Sequence, residues 1–79
     1  METNQNQTYP TFMEGKKYAE HVDADGDEFS VIWTCIRRTK TFATFQHRGE
    51  IIKAKIRDYG TCEWVRTDWL NIKAREEVE

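Results

Sequence analysis

Proline occurs once in 79 residues, glycine four times and cysteine twice. So little Pro and Gly excludes a collagen-like or Pro/Gly-rich low-complexity chain. The two thiols, Cys35 and Cys62, are isolated in sequence. They supply neither a disulfide framework nor a metal site, and in a reducing compartment they read as small buried hydrophobes, with a single bridge as the alternative. No apolar run approaches the ~20 residues that a membrane-spanning helix requires. The opening METNQNQTYPTF has neither a basic start nor an apolar stretch, so no signal peptide is expected and a cytoplasmic location is the expectation. Neither sign of charge dominates: 12 Lys and Arg stand against 14 Asp and Glu, for a net charge of -2. A dedicated duplex binder carries a strongly basic footprint, and this chain does not.

What is present is aromatic surface: 3 Trp, 3 Tyr and 4 Phe. A disordered chain lacks that much buriable area. The length allows one small domain, which buries only about 60% of its unfolded surface. An enclosed active-site cleft typically needs about 300 Å³ or more, so the expectation is a non-catalytic protein with no cofactor and no metal.

Residues 1–13 read as a flexible leader, although Tyr9 and Phe12 have the chemistry to fold back. A single domain is expected over 14–75, followed by an acidic tail over 76–79. Within the domain the period is two. Tyr18 and Glu20 to Val22 suggest a first strand, closed by a turn over DADGDE at 23–28. In the next strand, to Arg38, Phe29, Val31, Trp33 and Cys35 share one face and Ile32 and Ile36 the other. That pattern implies a central strand, or one that curls so that both faces are partly covered. Thr41 to Gln46 reads as a third strand, and His47 to Glu50 as a hairpin in which Gly49 offers a positive φ. Ile52, Ala54 and Ile56 then alternate with Lys53, Lys55 and Arg57, an apolar face against a basic one. Asp58-Tyr59-Gly60 turns the chain into a fifth strand at Thr61 to Val65. At the C-terminus, Leu70, Ile72 and Ala74 favour a closing strand, while Thr67 offers a cap for a short helical turn. The fold class is all-β: a five- or six-stranded, strongly bent antiparallel sheet or barrel.

Gly15, Lys16 and Tyr18; Asp23 and Asp25; Arg38, Thr39, Lys40 and Thr41; Lys55, Ile56 and Arg57; and Ile72, Lys73 and Ala74 form a spaced pattern. In this pattern the chain resembles a group of small uncharacterised proteins encoded by phages and integrating elements of gut Firmicutes and related bacteria. The resemblance implies an accessory gene of a mobile element. It carries no assigned activity and no site residues.

The residues themselves suggest several chemistries. DADGDE places Asp23, Asp25 and Asp27 at alternate positions, as a calcium loop would. Counted from Asp23, however, the glycine falls fourth instead of sixth and Thr34 occupies the twelfth place, so an acidic hairpin tip is expected. His21 and His47 form no catalytic motif with Ser30, Cys35 or Cys62. Charge distribution says more. Residues 14–28 sum to -4 and 58–79 to -3, whereas 29–57 hold seven bases against Glu50 alone, +6. Lys53, Lys55 and Arg57 would stand about 7 Å apart along a strand, near the phosphate repeat of an extended single strand. The expected site is therefore a basic hairpin of Arg37, Arg38, Lys40, Lys53, Lys55 and Arg57. Trp33, Trp64 and Trp69, with Phe42, are the aromatic candidates. Trp64 and Trp69 have a second reading, as a plug for the barrel end. The expected function is engagement of a phosphate-bearing ligand, nucleic acid or nucleotide. A protein-interaction module that modulates a host protein is the alternative. No membrane partner is expected. Segregated charge also suits a homo-oligomer, which would enlarge a small core.

Overall fold

The computed structural model describes residues 9–78. Eight strands form in chain order: β1 Lys17–Ala24, β2 Asp27–Arg38, β3 Phe42–His47, β4 Glu50–Lys55, β5 Arg57–Asp58, β6 Glu63–Arg66, β7 Asn71–Lys73 and β8 Glu77–Val78. A 3-10 turn, Ala74–Glu76, joins the last two. The strands make a five-stranded antiparallel sheet, β4-β3-β2-β1-β8, and a three-stranded one, β5-β6-β7. The bent all-β expectation stands, but the ladder does not close into a barrel. Instead the chain passes from one sheet to the other twice. It crosses at Ile56, between β4 and β5, and through the 3-10 turn, between β7 and β8.

Both sheets turn their apolar faces into one core. Tyr18, Trp33, Cys35, Ala43, Phe45 and Ala54 come from the large sheet, and Cys62, Val65, Leu70, Ile72 and Ala74 from the second half. Leu70, Ile72 and Ala74 are all buried, but only Ile72 lies in a strand, and Ala74 opens the short 3-10 turn. Thr67 caps no helix: its hydroxyl accepts the Trp69 N–H at 3.1 Å within a tight turn. Residues 9–13, expected in the leader, belong to the domain. Phe12 is buried at the centre of an aromatic triad, 5.0 Å from Tyr18 and 5.1 Å from Phe45 in edge-to-face contacts. Residues 1–8 of that leader lie outside the described residues. Glu77 and Val78, expected in the acidic tail, pair with Tyr18 and Lys17 at the sheet edge.

The DADGDE segment is mostly ladder. Asp23 pairs with Glu28 and Ala24 with Asp27, leaving a two-residue turn at Asp25 and Gly26. Both have positive φ (54° and 82°), the geometry whose twist matches a tight hairpin and for which Asp-Gly is a preferred pair. Because β3 starts its pairing at Thr34, the outer half of the β1–β2 hairpin projects beyond the sheet as a two-stranded arm. β2 is the central strand of the large sheet, as expected, but its second face is open: Ile32 and Ile36 are exposed.

At the β3–β4 hairpin the positive φ falls on Arg48 (57°) and not on Gly49. A left-handed conformation costs a residue bearing Cβ about 1–2 kcal/mol, and asparagine tolerates it better. Arg48→Asn is expected to stabilise the domain by about 0.5–1 kcal/mol, read as a rise of a few degrees in thermal unfolding. An unchanged or lower melting temperature would count against that assignment of strain.

Candidate nucleic-acid interface

A bulge in β2 decides which cations face outward. Cys35 pairs with Phe45 and Arg37 with Thr44, so Ile36 is the unpaired residue. One inserted residue reverses the parity of the strand beyond it. Arg37 stands on the outward face with Thr44, while Arg38, paired with buried Ala43, turns to the inside. There its guanidinium forms a two-pronged ion pair with Glu63, Nη2 lying 2.8 Å from Oε2 and Nη1 bonding Oε1. Nη1 also donates to the Phe12 carbonyl at 2.8 Å. The Glu63 carboxylate accepts the Phe12 N–H at 2.8 Å. Burial pushes the Glu63 carboxyl up, but the bonds from Arg38 and Phe12 and the nearby positive charge outweigh it and hold it below the usual range. Arg38 is consequently a structural residue, and its place among the ligand-binding candidates is corrected.

The β4–β5 segment keeps its expected alternation. Ile52, Ala54 and Ile56 pack against the core while Lys53, Lys55 and Arg57 are exposed. The correction is that the three cations do not share one ladder. Lys53 lies beside Thr44 and Lys55 beside Phe42 in the large sheet, whereas Arg57 pairs with Trp64 in the small one. They form a ridge round the corner at Ile56. The Ile56 N–H donates to the Thr41 carbonyl at 2.8 Å, tying to that corner the turn that carries exposed Lys40.

Beyond Arg57 the ridge continues onto residues outside the expected basic hairpin. The outward row of the small sheet is Arg57, Trp64 and Lys73. Trp64 is half-buried, meets Tyr59 edge-on at 5.2 Å, and is oriented by its Nε1–H donating to Asn71 Oδ1 at 2.8 Å. Lys73 lies over the Tyr59 ring at 4.7 Å and Arg75 at 5.7 Å. At the other end, Lys53 sits over Phe42 at 4.8 Å. Among the described residues no carboxylate comes within 4.0 Å of Lys40, Lys53, Lys55, Arg57 or Lys73, while Arg75 pairs with Glu76 at 3.7 Å. Asp58, adjacent to Arg57, is instead engaged by Tyr9. The Tyr9 hydroxyl donates to it at 2.5 Å, and that bond helps hold the carboxyl below its ordinary range. The same bond, with burial, raises Tyr9 to about 12.

The aromatic candidates divide. Trp33 is in the core, its Nε1–H donating to Glu20 Oε1 at 3.0 Å, so it cannot stack a ligand. Trp64 faces the ridge. Trp69 is 79% exposed at the β6–β7 turn and plugs nothing. Arg37 is exposed but stands on the large sheet's outward face, one strand removed from Lys53.

Two features bear on catalysis. His21 lies 3.1 Å from Glu76 through Nε2 and 3.3 Å from the Ser30 hydroxyl through Nδ1, a serine–histidine–carboxylate chain. It sits on the open face of a ladder, whose N–H groups lie in the sheet plane. The His21 side chain is 66% exposed, so the chain stands open to solvent. The thiols are also unsuited. Both are buried and free, and burial raises the Cys35 pKa, which suppresses the nucleophilic thiolate. Among the described residues no group of three or more His, Cys, Asp or Glu is placed to hold a metal ion, and no helix is long and apolar enough to cross a membrane. No family model, curated protein or solved structure matches this chain.

Proposed function

We propose that the protein is a non-catalytic module, borne by a phage or mobile element, that binds a short stretch of single-stranded nucleic acid along the ridge from Lys53 to Arg75. The observation that carries this reading is the interleaving of cations and rings. Lys53 with Phe42, Lys55, Arg57 beside Trp64, and Lys73 with Tyr59 give alternating charge and π surface on one continuous outward track. Such a track suits a backbone of phosphates about 7 Å apart whose bases turn inward to stack. The net charge of -2 does not oppose it, because Asp23, Asp25, Asp27 and Glu28 lie on the β1–β2 arm and Glu63 is bound by Arg38.

Fluorescence anisotropy with a labelled pyrimidine oligonucleotide tests the proposal. Three or four phosphate contacts imply a log–log salt slope of about -2 to -3. Reversing Lys55, Arg57 and Lys73 to Glu together should weaken binding by at least about a hundredfold at low salt and flatten that slope. Binding that survives the triple reversal unchanged, or no binding by the wild type at low salt, ends the proposal. The exposure of Trp69 favours a second reading, a contact residue for a host protein, since exposed Trp beside Arg (here Arg66) is hot-spot chemistry. In that case Trp69→Ala abolishes a nuclease-resistant partner complex and leaves oligonucleotide affinity intact.

A further inference from the structure

The outward face of the large sheet is polarised along its length. On the projecting arm it presents Asp23 and Glu28 as a cross-strand pair, next to the turn at Asp25. In the middle it presents Ala19 opposite Ile32, with Ile51 two strands away in the neighbouring row. At the far end it presents Arg37 in line with Thr44 and Lys53. Ile32, Ile36 and Ile51 are 37%, 41% and 58% exposed. No carboxylate approaches Arg37 within 4.0 Å and no cation approaches Asp23 or Glu28, among the described residues.

The two poles are nearly equidistant from the apolar middle. Along β2, Glu28 precedes Ile32 by four residues and Arg37 comes five after it, the bulge at Ile36 shortening the longer side. At about 3.3 Å per residue, each pole lies roughly 13–16 Å from Ile32. A two-fold axis through Ile32 therefore brings Glu28 of one copy over Arg37 of the other, and the reverse contact forms at the same time. A patch with that property is self-complementary, as isologous pairing demands.

We infer that this face docks a second copy of the same chain, the acidic arm of each protomer against the Arg37 pole of its partner, with Ile32 and Ile51 sealed between them. Sheet faces pack with strand directions within about 30°, so the two copies of β2 run antiparallel across the axis. The face is about 30 Å long and two to four strands wide, roughly 300–570 Å² in projection per partner. That is below the size of stable interfaces and matches weak, transient ones, so the dimer forms reversibly and only at high protein concentration. The face shares Lys53 with the nucleic-acid ridge, but the pairing turns on Arg37 and Glu28, which lie off the ridge, so the two readings are tested separately.

Sedimentation equilibrium over a concentration series tests it. The wild-type mass should rise from 9.4 kDa towards twice that value, and the rise should weaken in high salt. Arg37→Glu and Glu28→Lys alter exposed side chains and should each stay monomeric, since both cross-axis contacts become repulsive. Mixed in equal amounts, the two variants restore attraction at both contacts, so the mixture should dimerise at least about tenfold more tightly than either alone. Wild type that remains a monomer at several hundred micromolar overturns the inference, as does a mixture no more associated than its components.

Discussion

Phe12→Ala is expected to remove a large share of the domain's stability, and a chain begun at Glu14 to be largely unfolded. Removing a buried Phe side chain costs about 3–5 kcal/mol. Domains carry about 0.05–0.15 kcal/mol per residue, or roughly 4–12 kcal/mol for a chain of this size. Phe12 is 1% exposed and touches both Tyr18 and Phe45, so the void cannot be filled from solvent-facing neighbours. Starting at Glu14 removes more: the Tyr9 hydroxyl bond to the Cys62 carbonyl, the Phe12 carbonyl that Arg38 grips and the Phe12 N–H that Glu63 accepts. Near-ultraviolet circular dichroism and thermal unfolding measure the outcome. A truncated chain that melts cooperatively within a few degrees of the intact one would show that the segment merely lies on the surface.

The second large effect belongs to Arg38 and Glu63. Arg38→Met or Glu63→Gln should each destabilise the domain by about 3 kcal/mol, because each strands a mostly buried partner. Combined as Arg38→Met and Glu63→Leu, the loss should be smaller than the sum of the singles. It should not vanish, because the Phe12 N–H and carbonyl would lose their partners. The pH dependence has a fixed sign. The folded-state pKa of Glu63 lies below its unfolded value, so its contribution is complete above about pH 4.3 and is lost as pH falls through the lower, folded value. Urea midpoints measured from pH 7 downward should fall in that acid range for wild type and flatten in the Glu63→Gln variant. Equal acid sensitivity in both proteins would remove Glu63 from the account.

Much of this architecture is legible in the residues, and what escapes has physical causes. Alternation locates the strands, and at 52–57 it assigns both faces correctly through a change of sheet, because side-chain parity continues wherever no residue is inserted. It fails at Arg38 for the converse reason: the bulge at Ile36 inserts a residue, and no composition marks it. The leader boundary fails at Phe12 because a lone aromatic in a polar segment has no period to reveal its burial. Trp33 and Trp64 look alike in sequence, yet one is committed to Glu20 in the interior and the other to Asn71 outside. Tyr59, Lys73 and Arg75 escape because residues 58–79 sum to -3, and an average over a segment hides two cations that meet over the Tyr59 ring. The i, i+2 spacing of Lys73 and Arg75 around buried Ala74 is the signal that could have found them.

The pairing of Val78 with Lys17 sets the order in which this chain can become ordered. The last strand completes the edge of the first, so the longest loop in the protein must shut before that edge is satisfied, and loop closure is costly until contacts reward it. Neither sheet has a shelter for its apolar side while the other is missing, and the chain stitches the two together at both corners. Folding is therefore expected to be cooperative, with the Val78–Lys17 pairing formed late.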